Sequence, residues 1–381
     1  MFRRNYGYAA ARAYAIYQDQ DFLDLAVISW TSARRFTLSQ EQIASGTTYV
    51  KEFNLSTSCQ GATMAGGTYY ITGPTDPIIS NMATGFFLVV SALLAEVTSN
   101  QTYLDAAVES ANFVQSHLLT PSGDVKQYIL SDLNSSCTTS PRVDAPSTGI
   151  FVEGLVTLAY ITRNVSTEAL LRRTIFAVAT GTLWQGLDGI ISTTDTGGHY
   201  IVWALTALYE RNKTASDLRE YIKEYIGVQY NAVIEHATSG GSNIYGSPWT
   251  GPPSTSFSSD NQTVAISSLL SAIQLVNDQA SSKSSDNPTS SAVPSSSAST
   301  SPLPTKNSTG VIVGSVVGGL AVVVIIIVGI LLLRRKHRRK GDGPFCCGQL
   351  FPTNAYTIHG YINSCFFGDI SGASYEPGET C

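Results

Sequence analysis

The sequence predicts an all-α fold for residues 1–280, arranged as a double-layered ring of helical hairpins. Three observations support this organisation. An apolar segment followed by an amphipathic segment recurs four times in 1–280, a Ser/Thr/Pro-rich segment follows at 281–309, and 23 consecutive uncharged residues occupy 311–333. We therefore expect a helical domain, a disordered stalk, one transmembrane helix and, at 334–381, a short tail.

The recurring unit is predicted to be a pair of helices. Its first segment, such as 86–94, is apolar nearly all round, so it must be buried. Its second segment, such as 102–111, has one apolar stripe at helical spacing with polar residues opposite, so it lies outside. Inner helix, short turn and outer helix, repeated along the chain, give a double-layered ring.

The boundaries of the units indicate where a site would form. We expect threonines to cap the N-termini of three inner helices, at Thr84, Thr148 and Thr196. The long connections run from each outer helix to the next inner one, so they gather at the inner helices' N-terminal rim. They span 37–81, 119–147, 181–196 and 236–260.

The number of helices predicts an incomplete ring. The pattern indicates nine helices, the last at 263–276. Six hairpins would close such a ring, so we expect about three further helices, which would precede residue 1.

The uncharged segment 311–333 is long enough to cross a bilayer, since a rise of about 1.5 Å per residue gives roughly 34 Å. The basic cluster 334–340 follows it and should stay in the cytoplasm. Asn-X-Ser/Thr sequons occur only before the segment, so 1–309 is predicted to be lumenal or extracellular. The sequons lie at Asn54, Asn100, Asn134, Asn164, Asn212, Asn261 and Asn307.

The first residues form a poor signal peptide, because Arg12 interrupts the apolar stretch that begins at Tyr6. A lumenal domain needs an export signal, and the basic residues lie on the wrong flank of 311–333 for a signal-anchor. We therefore expect the native N-terminus to lie upstream of Met1.

Composition argues against nucleic-acid binding. Residues 1–309 carry a net charge of −7, because six of the 23 Lys and Arg and four of the 28 Asp and Glu lie beyond them. There is no basic stripe, and no cofactor or metal site is predicted. Cys59 and Cys137 are the two lumenal cysteines, and they could form one disulfide in an oxidising compartment; two free thiols are the alternative.

Several short motifs follow one another in a characteristic order. Cys59-Gln60-Gly61-Ala62 and Gly66-Gly67-Thr68-Tyr69-Tyr70 precede Ile79-Ser80-Asn81 and an apolar helix, with further matches at 100–104, 147–149 and 195–198. This order resembles glycoside hydrolase family 76 over roughly residues 4–278. The resemblance implies an incomplete (α/α)6 six-hairpin toroid related to endo-α-1,6-mannanases. It also implies cell-wall α-mannan or mannoprotein glycans as partners.

The sequence departs from the family at the catalytic position. Family members carry an adjacent Asp-Asp pair just before the helix that here contains Tyr6, and glycoside hydrolysis needs two carboxyl groups across the scissile bond. This chain has Phe2-Arg3-Arg4-Asn5 there. The chain as written is therefore expected not to hydrolyse mannan by the family mechanism, and the catalytic residues are left unassigned.

Other polar residues could bind a glycan or replace the missing acids. Asp188 and Asp195 lie in one predicted rim loop, and His199 begins the next inner helix. A carboxylate near a histidine could act in acid–base catalysis, but sugar-hydroxyl recognition or capping is the favoured interpretation. Glu153 lies in an apolar inner helix, so it must face the open centre or have a partner that the sequence does not reveal.

Aromatic residues in the rim connections are candidates for stacking on pyranose faces. We include Tyr69, Tyr70 and Trp184 in the candidate substrate-binding set, with ordinary loop packing as the alternative. Two functions follow. One is a membrane-anchored cell-wall α-1,6-mannan glycosidase or transglycosylase, inactive as written; the other is a non-catalytic mannan-binding surface protein or sensor.

The topology predicts glycosylation. Expressed in a secretory fungal host, the full chain should migrate faster on a gel after endoglycosidase treatment, by the mass of several glycans. Asn54→Gln should remove one glycan, whereas Asn243→Gln, outside any sequon, should leave migration unchanged. A chain that endoglycosidase does not shift would contradict the lumenal assignment of 1–309.

Overall fold

The computed structural model describes residues 2–192, 197–211 and 216–283. Within these ranges it is mostly helical. The predicted stalk begins at 281, but residues 281–283 belong to the last described helix. The rest of the predicted stalk, the transmembrane helix and the tail lie outside the described residues, as do Thr196 and Asn307.

The described part of the chain contains ten α-helices and two small antiparallel sheets. The helices are α1 (Phe2–Tyr17), α2 (Gln20–Arg34), α3 (Gln40–Ser45), α4 (Asn81–Thr98), α5 (Gln101–His117), α6 (Ala145–Thr162), α7 (Val165–Thr180), α8 (His199–Arg211), α9 (Ser216–Glu235) and α10 (Ser259–Lys283). Strand β1 (Ser58–Cys59) pairs with β2 (Ala62–Thr63), and β3 (Ile78–Ser80) pairs with β4 (Tyr128–Leu130).

The helices form two layers, as the sequence predicts. Helices α1, α4, α6, α8 and α10 pack in that order as an inner layer, and α2, α5, α7 and α9 each pack against the preceding inner helix. Helix α4 is buried along nearly its whole length. Helix α2 instead buries one stripe, in which the Trp30 indole donates a hydrogen bond to Ser91 of α4 at 2.8 Å.

Glycines mark the places where the inner helices approach most closely. A Cβ atom at Gly85 of α4 would lie 2.6 Å from the Ile150 side chain of α6. One at Gly149 of α6 would lie 2.6 Å from the Tyr200 backbone of α8. Gly85 and Gly149, each near the start of an inner helix, are therefore contact points for the next inner helix.

The inner layer is an arc. Among the described helices, α1 and α10 do not pack together as neighbouring inner helices do. Both helices have solvent-exposed apolar residues. Ile16 of α1 is exposed, and α10 exposes Ile266, Leu270 and Ile273, which share one face of the helix. The two-layer helical arrangement is consistent with the predicted (α/α)6 toroid.

The predicted threonine caps at Thr84 and Thr148 are wrong. Helix α4 starts after Ser80 and α6 starts after Asp144, whose side chains accept hydrogen bonds from backbone N–H groups of the first turn. Thr84 and Thr148 lie one turn further in and are buried. Their hydroxyl oxygens accept hydrogen bonds from the backbone N–H groups of Thr68 (3.0 Å) and Val125 (3.2 Å), which attach the rim connections to the inner helices.

The rim connections contain more structure than the pattern predicts. Helix α3 and both sheets lie in them, and α10 starts four residues before the predicted position 263. Cys59 and Cys137 are joined by a disulfide, so the first two long connections are covalently linked across 78 positions.

Helix α4 is the one described helix that is long and apolar enough to cross a membrane. However, 78% of the apolar window is buried inside the protein, which is expected for a central core helix. The predicted membrane span at 311–333 is a separate segment.

The close approach of α6 and α8 can be tested by substitution. We expect Gly149→Ala to reduce the free energy of unfolding by about 1–3 kcal/mol, because the new methyl group meets the Tyr200 backbone. In a domain of this size each kcal/mol lowers Tm by about 2–4 °C.

Gly227→Ala in α9 is the matched control, since a Cβ atom there meets nothing within 4 Å. It should raise stability by up to about 1 kcal/mol through helix propensity. Thermal denaturation of both variants checks the prediction, and equal effects would contradict the packing described for α6 and α8.

Candidate functional site

Side chains from four inner helices meet on the concave side of the arc. Tyr8 of α1 lies edge-on to Phe86 of α4, with ring centroids 5.7 Å apart, and stacks on Trp203 of α8 at 6.3 Å. Since α4 and α6 lie between α1 and α8 in the arc, the Tyr8–Trp203 contact is made across the concave side. We refer to Tyr8, Arg12, Phe86, Glu153, Tyr200 and Trp203 as the central cluster.

The accessible part of the central cluster is aromatic. Tyr8 and Trp203 are half-buried, whereas Phe86 and Tyr200 are buried behind them. Half-exposed aromatic rings on a concave surface suit the apolar face of a sugar. All four aromatic residues lie in the N-terminal halves of their helices, on the side where the long connections gather.

Glu153 has partners on another inner helix. Its carboxylate accepts hydrogen bonds from the Tyr8 hydroxyl at 2.9 and 3.1 Å and from Arg12 Nη1 at 3.3 Å. Glu153 is 1% exposed, whereas the Arg12 side chain is 32% exposed. Of the two placements that the sequence left open for Glu153, the structure supports a paired acid.

Burial and charge determine the protonation of this group. Burial raises the pKa of Glu153, and the Arg12 charge and the Tyr8 hydrogen bond oppose that shift only in part. Burial and the Glu153 charge raise the pKa of Tyr8, so it remains a neutral phenol that donates to the carboxylate. Burial alone would lower the pKa of Arg12, but Tyr8 and Glu153 outweigh it and the pKa is raised.

Charged residues continue from the central cluster towards the C-terminal ends of the inner helices. Arg211 of α8 pairs with Glu96 of α4 at 3.0 Å. There a cavity of about 620 Å³ is lined by Glu96, Tyr160, Arg163, Glu210 and Arg211, among others. None of the predicted substrate-binding residues lines it, so the candidate site is placed at the central cluster.

The stacking role predicted for Tyr69 and Trp184 is wrong, because both are only 1% exposed. The Tyr69 hydroxyl accepts a hydrogen bond from Ser131 at 3.1 Å, and the Lys51 ammonium lies 4.4 Å from the centre of its ring. The Trp184 indole donates to the Val178 carbonyl at 3.3 Å. Both rings are therefore part of the core, with no face open to a sugar.

The remaining predicted residues separate into different places. His199, the first residue of α8, is half-buried and lies edge-on to Trp203 at 4.7 Å, at the margin of the central cluster. Asp188 is exposed and accepts a hydrogen bond from the Ile190 N–H at 3.0 Å, which makes it a turn residue. Tyr70 is half-buried in the first connection, and Asp195 lies outside the described residues.

Of the five predicted glycosylation sites that lie in the described residues, four are on the surface and one is half-buried. Asn54, Asn100, Asn134 and Asn164 are exposed, and Asn261 on α10 is half-buried. Asn100 and Asn164 cap the N-termini of α5 and α7 through their side-chain oxygens, so their amide nitrogens remain available for a glycan. Asn212 and Asn307 lie outside the described residues.

Sequence reasoning missed Tyr8, Arg12, Phe86, Tyr200 and Trp203 as site residues. One signal was present: Glu153 is the one charged residue of the apolar helix α6, and Arg12, of opposite charge, interrupts the apolar stretch of α1 that begins at Tyr6. Within 2–192, 197–211 and 216–283, no group of three His, Cys, Asp or Glu residues could hold a metal ion.

The family model for glycosyl hydrolase family 76 matches residues 4–291. The chain belongs to this family. No curated protein matches the chain. Among solved structures, the GH76A α-1,6-mannanase of Salegentibacter sp. HEL1_6 has a TM-score of 0.59 at 14% identity, covering 71% of this chain and 74% of that one.

Two further structures are of inactive variants of that mannanase, in which two consecutive aspartates are replaced by Asn or by Ala. They are complexes with α-1,6-mannotriose and α-1,6-mannotetrose, and both have a TM-score of 0.59 at 14% identity. They cover 72% and 71% of this chain and 76% and 74% of theirs.

A fungal structure is also similar: Dfg5 of Chaetomium thermophilum, in complex with glucosamine, has a TM-score of 0.52 at 13% identity. It covers 67% of this chain and 62% of its own. At these identities the structural matches support the toroidal fold of the family.

The raised pKa of Glu153 predicts a pH-dependent effect of Glu153→Gln. Above its ordinary value of 4.5 and below its folded pKa, the folded chain holds the proton more tightly than the unfolded chain. Ionisation of Glu153 therefore lowers the free energy of unfolding as pH rises through this window. The glutamine side chain does not ionise, so the Glu153→Gln variant does not lose this stability as the pH rises.

The Tm of Glu153→Gln minus that of the unaltered chain should consequently become more positive between about pH 4 and about pH 7. Differential scanning calorimetry across this range provides the measurement. A difference that becomes more negative with pH would mean that Arg12 outweighs burial and that the pKa is lowered.

Proposed function

We propose that this family 76 protein binds α-1,6-linked mannose chains of cell-wall mannan or mannoprotein at its central cluster and does not hydrolyse them. The observation that carries the proposal is the half-exposed Tyr8–Trp203 surface on the concave side of a family 76 fold. A sugar stacked there would lie near His199 and beside the side where the long connections gather.

The lack of hydrolysis follows from the acids available at the site. Glycoside hydrolysis needs a general acid and a second carboxylate on either side of the scissile bond. The residues before Tyr6 include Arg3 and Arg4 where the family carries its Asp-Asp pair. Glu153, the carboxylate in the central cluster, is buried against Tyr8 and Arg12 and so does not reach a bound sugar.

The mannanase variants of Salegentibacter sp. support the separation of binding from catalysis. Each lacks two consecutive aspartates and is inactive, yet each is a complex with an α-1,6-linked mannose oligosaccharide. A family 76 protein with other residues at the catalytic position can by analogy retain a glycan site.

A glycosidase or transglycosylase activity is the second candidate, and family membership favours it. It would require a carboxylate from a rim connection, for which Asp188 and Asp195, which precede His199 in the sequence, are the candidates. Release of sugar by the chain would support this function over simple binding.

We further propose that the domain is held at the cell surface by a transmembrane helix at 311–333, through the stalk at 281–309, with a cytoplasmic tail at 334–381. The basic cluster after 333 and the sequon asparagines exposed on the domain support this topology. Binding on the outside and a tail inside would also suit a sensor.

The proposal predicts binding without turnover. The full chain, purified in detergent, should bind α-1,6-mannotriose in isothermal titration calorimetry and release no reducing sugar from α-1,6-mannan. Trp203→Ala should weaken binding about tenfold or more, because it removes a stacking ring.

Tyr160→Ala is the matched control. Tyr160 is a partly exposed aromatic residue at the opposite end of the inner helices, so its removal should leave the mannotriose Kd unchanged. Equal Kd values for the Trp203 variant and the unaltered chain would refute the site. Rapid hydrolysis by the unaltered chain would refute the lack of catalysis.

A further inference from the structure

Glu153 is the buried acid of the central cluster, and its place in the fold suggests a role in binding. We propose that Glu153 is a positioning residue for the glycan. It does not contact the sugar itself but holds Tyr8 in the orientation in which the Tyr8 side chain contacts the sugar. This inference rests on the proposed function and adds the device that orients its binding surface.

The hydrogen bond fixes both the position and the polarity of the Tyr8 hydroxyl. The phenol has one proton to donate, and the Tyr8 hydroxyl donates it in a hydrogen bond to the Glu153 carboxylate, whose two oxygens lie 2.9 and 3.1 Å away. The hydroxyl oxygen can then only accept a hydrogen bond from a ligand. A sugar hydroxyl, which can donate, fits this requirement.

The Tyr8 ring is held at the same time. Phe86 contacts it edge-on at 5.7 Å and Trp203 stacks on it with an angle of 26° between the planes. Glu153 secures the hydroxyl end, so little rotation about the Tyr8 side-chain bonds remains. A pre-oriented ring loses less conformational entropy when the sugar binds.

Arg12 keeps the acid in place. It lies four residues after Tyr8 on α1, so both donors project from one face of that helix. The acceptor lies on α6, and α4 packs between the two helices. The Tyr8–Glu153–Arg12 group therefore bridges the concave side of the arc and fixes where α1 presents Tyr8.

A purely structural ion pair is the competing explanation, and the chain offers one for comparison. Glu109 of α5 pairs with Arg34 of α2 at 3.3 Å, the same distance as Glu153 to Arg12. Burial raises the pKa of Glu109 too, against the charge of Arg34. The Arg34–Glu109 pair joins two outer helices. Among the described residues, no hydrogen bond or ion pair links it to the central cluster.

A double-mutant cycle in binding separates the two explanations. The full chain in detergent is titrated with α-1,6-mannotriose, as are Glu153→Met, Tyr8→Phe and the double variant. We expect each single substitution to raise Kd about tenfold, the effect of losing one charge-assisted hydrogen bond. The double variant should bind no more weakly than Tyr8→Phe alone, since Glu153 acts through the Tyr8 hydroxyl.

Two further variants complete the design. Glu153→Gln keeps an oxygen that accepts the Tyr8 proton, so its Kd should stay within about threefold of the unaltered chain. It also provides the comparison with Tyr8→Phe if Glu153→Met does not fold. Glu109→Met should lower Tm and leave Kd unchanged.

Several outcomes would overturn the inference. If the pair were only structural, Glu153→Met would leave Kd unchanged, or it would weaken binding equally with and without the Tyr8 hydroxyl. A Kd for Glu153→Gln as high as that for Tyr8→Phe would also overturn the inference. Failure of the unaltered chain to bind mannotriose would overturn the proposed function as well, which distinguishes that failure from the others.

Discussion

The structure depends on burying helices that are apolar on almost every side. Helix α4 has no polar face to present to water, so it must be surrounded by α1, α5, α6 and part of the rim. Close contact on all sides requires small residues where two such helices cross, and Gly85 and Gly149 occupy those crossings. The two-layer arc follows from this packing.

The same packing explains why the site is built from so few polar groups. An inner helix can carry a charge only if a partner is available across the concave side, because an unpaired buried charge would be prohibitively unfavourable. Glu153 meets this condition through Tyr8 and Arg12. The aromatic surface therefore lies beside an ion pair in which the opposite charges of Glu153 and Arg12 compensate each other.

The sequence predicted what burial alone determines. The alternation of fully apolar and one-sided segments gave the inner and outer layers and the positions of the long connections, because helical periodicity reflects solvent exposure directly. Helix starts were displaced by about one turn, since Ser80 and Asp144 can cap as well as the threonines nearby. Helix α3, with six residues, is too short for a periodic pattern.

The site was less predictable because its contacts are distant in the chain. Tyr8 and Arg12 lie 145 and 141 residues from Glu153, so no local motif could pair them. Tyr69 and Trp184 show the opposite difficulty: an aromatic residue in a connection looks the same in sequence whether it packs inwards or faces a ligand. Only the packing of the connection onto the helices distinguishes the two.

The caps on the outer helices have a consequence for how neighbouring molecules approach the domain. Asn100 and Asn164 lie in the turns between inner and outer helices, at the end opposite the long connections. Glycans attached there would project from that end into the solvent and would cover it with a hydrated layer. Large polymers outside the domain would be kept away from that end sterically, and their access would be biased towards the face where the central cluster opens.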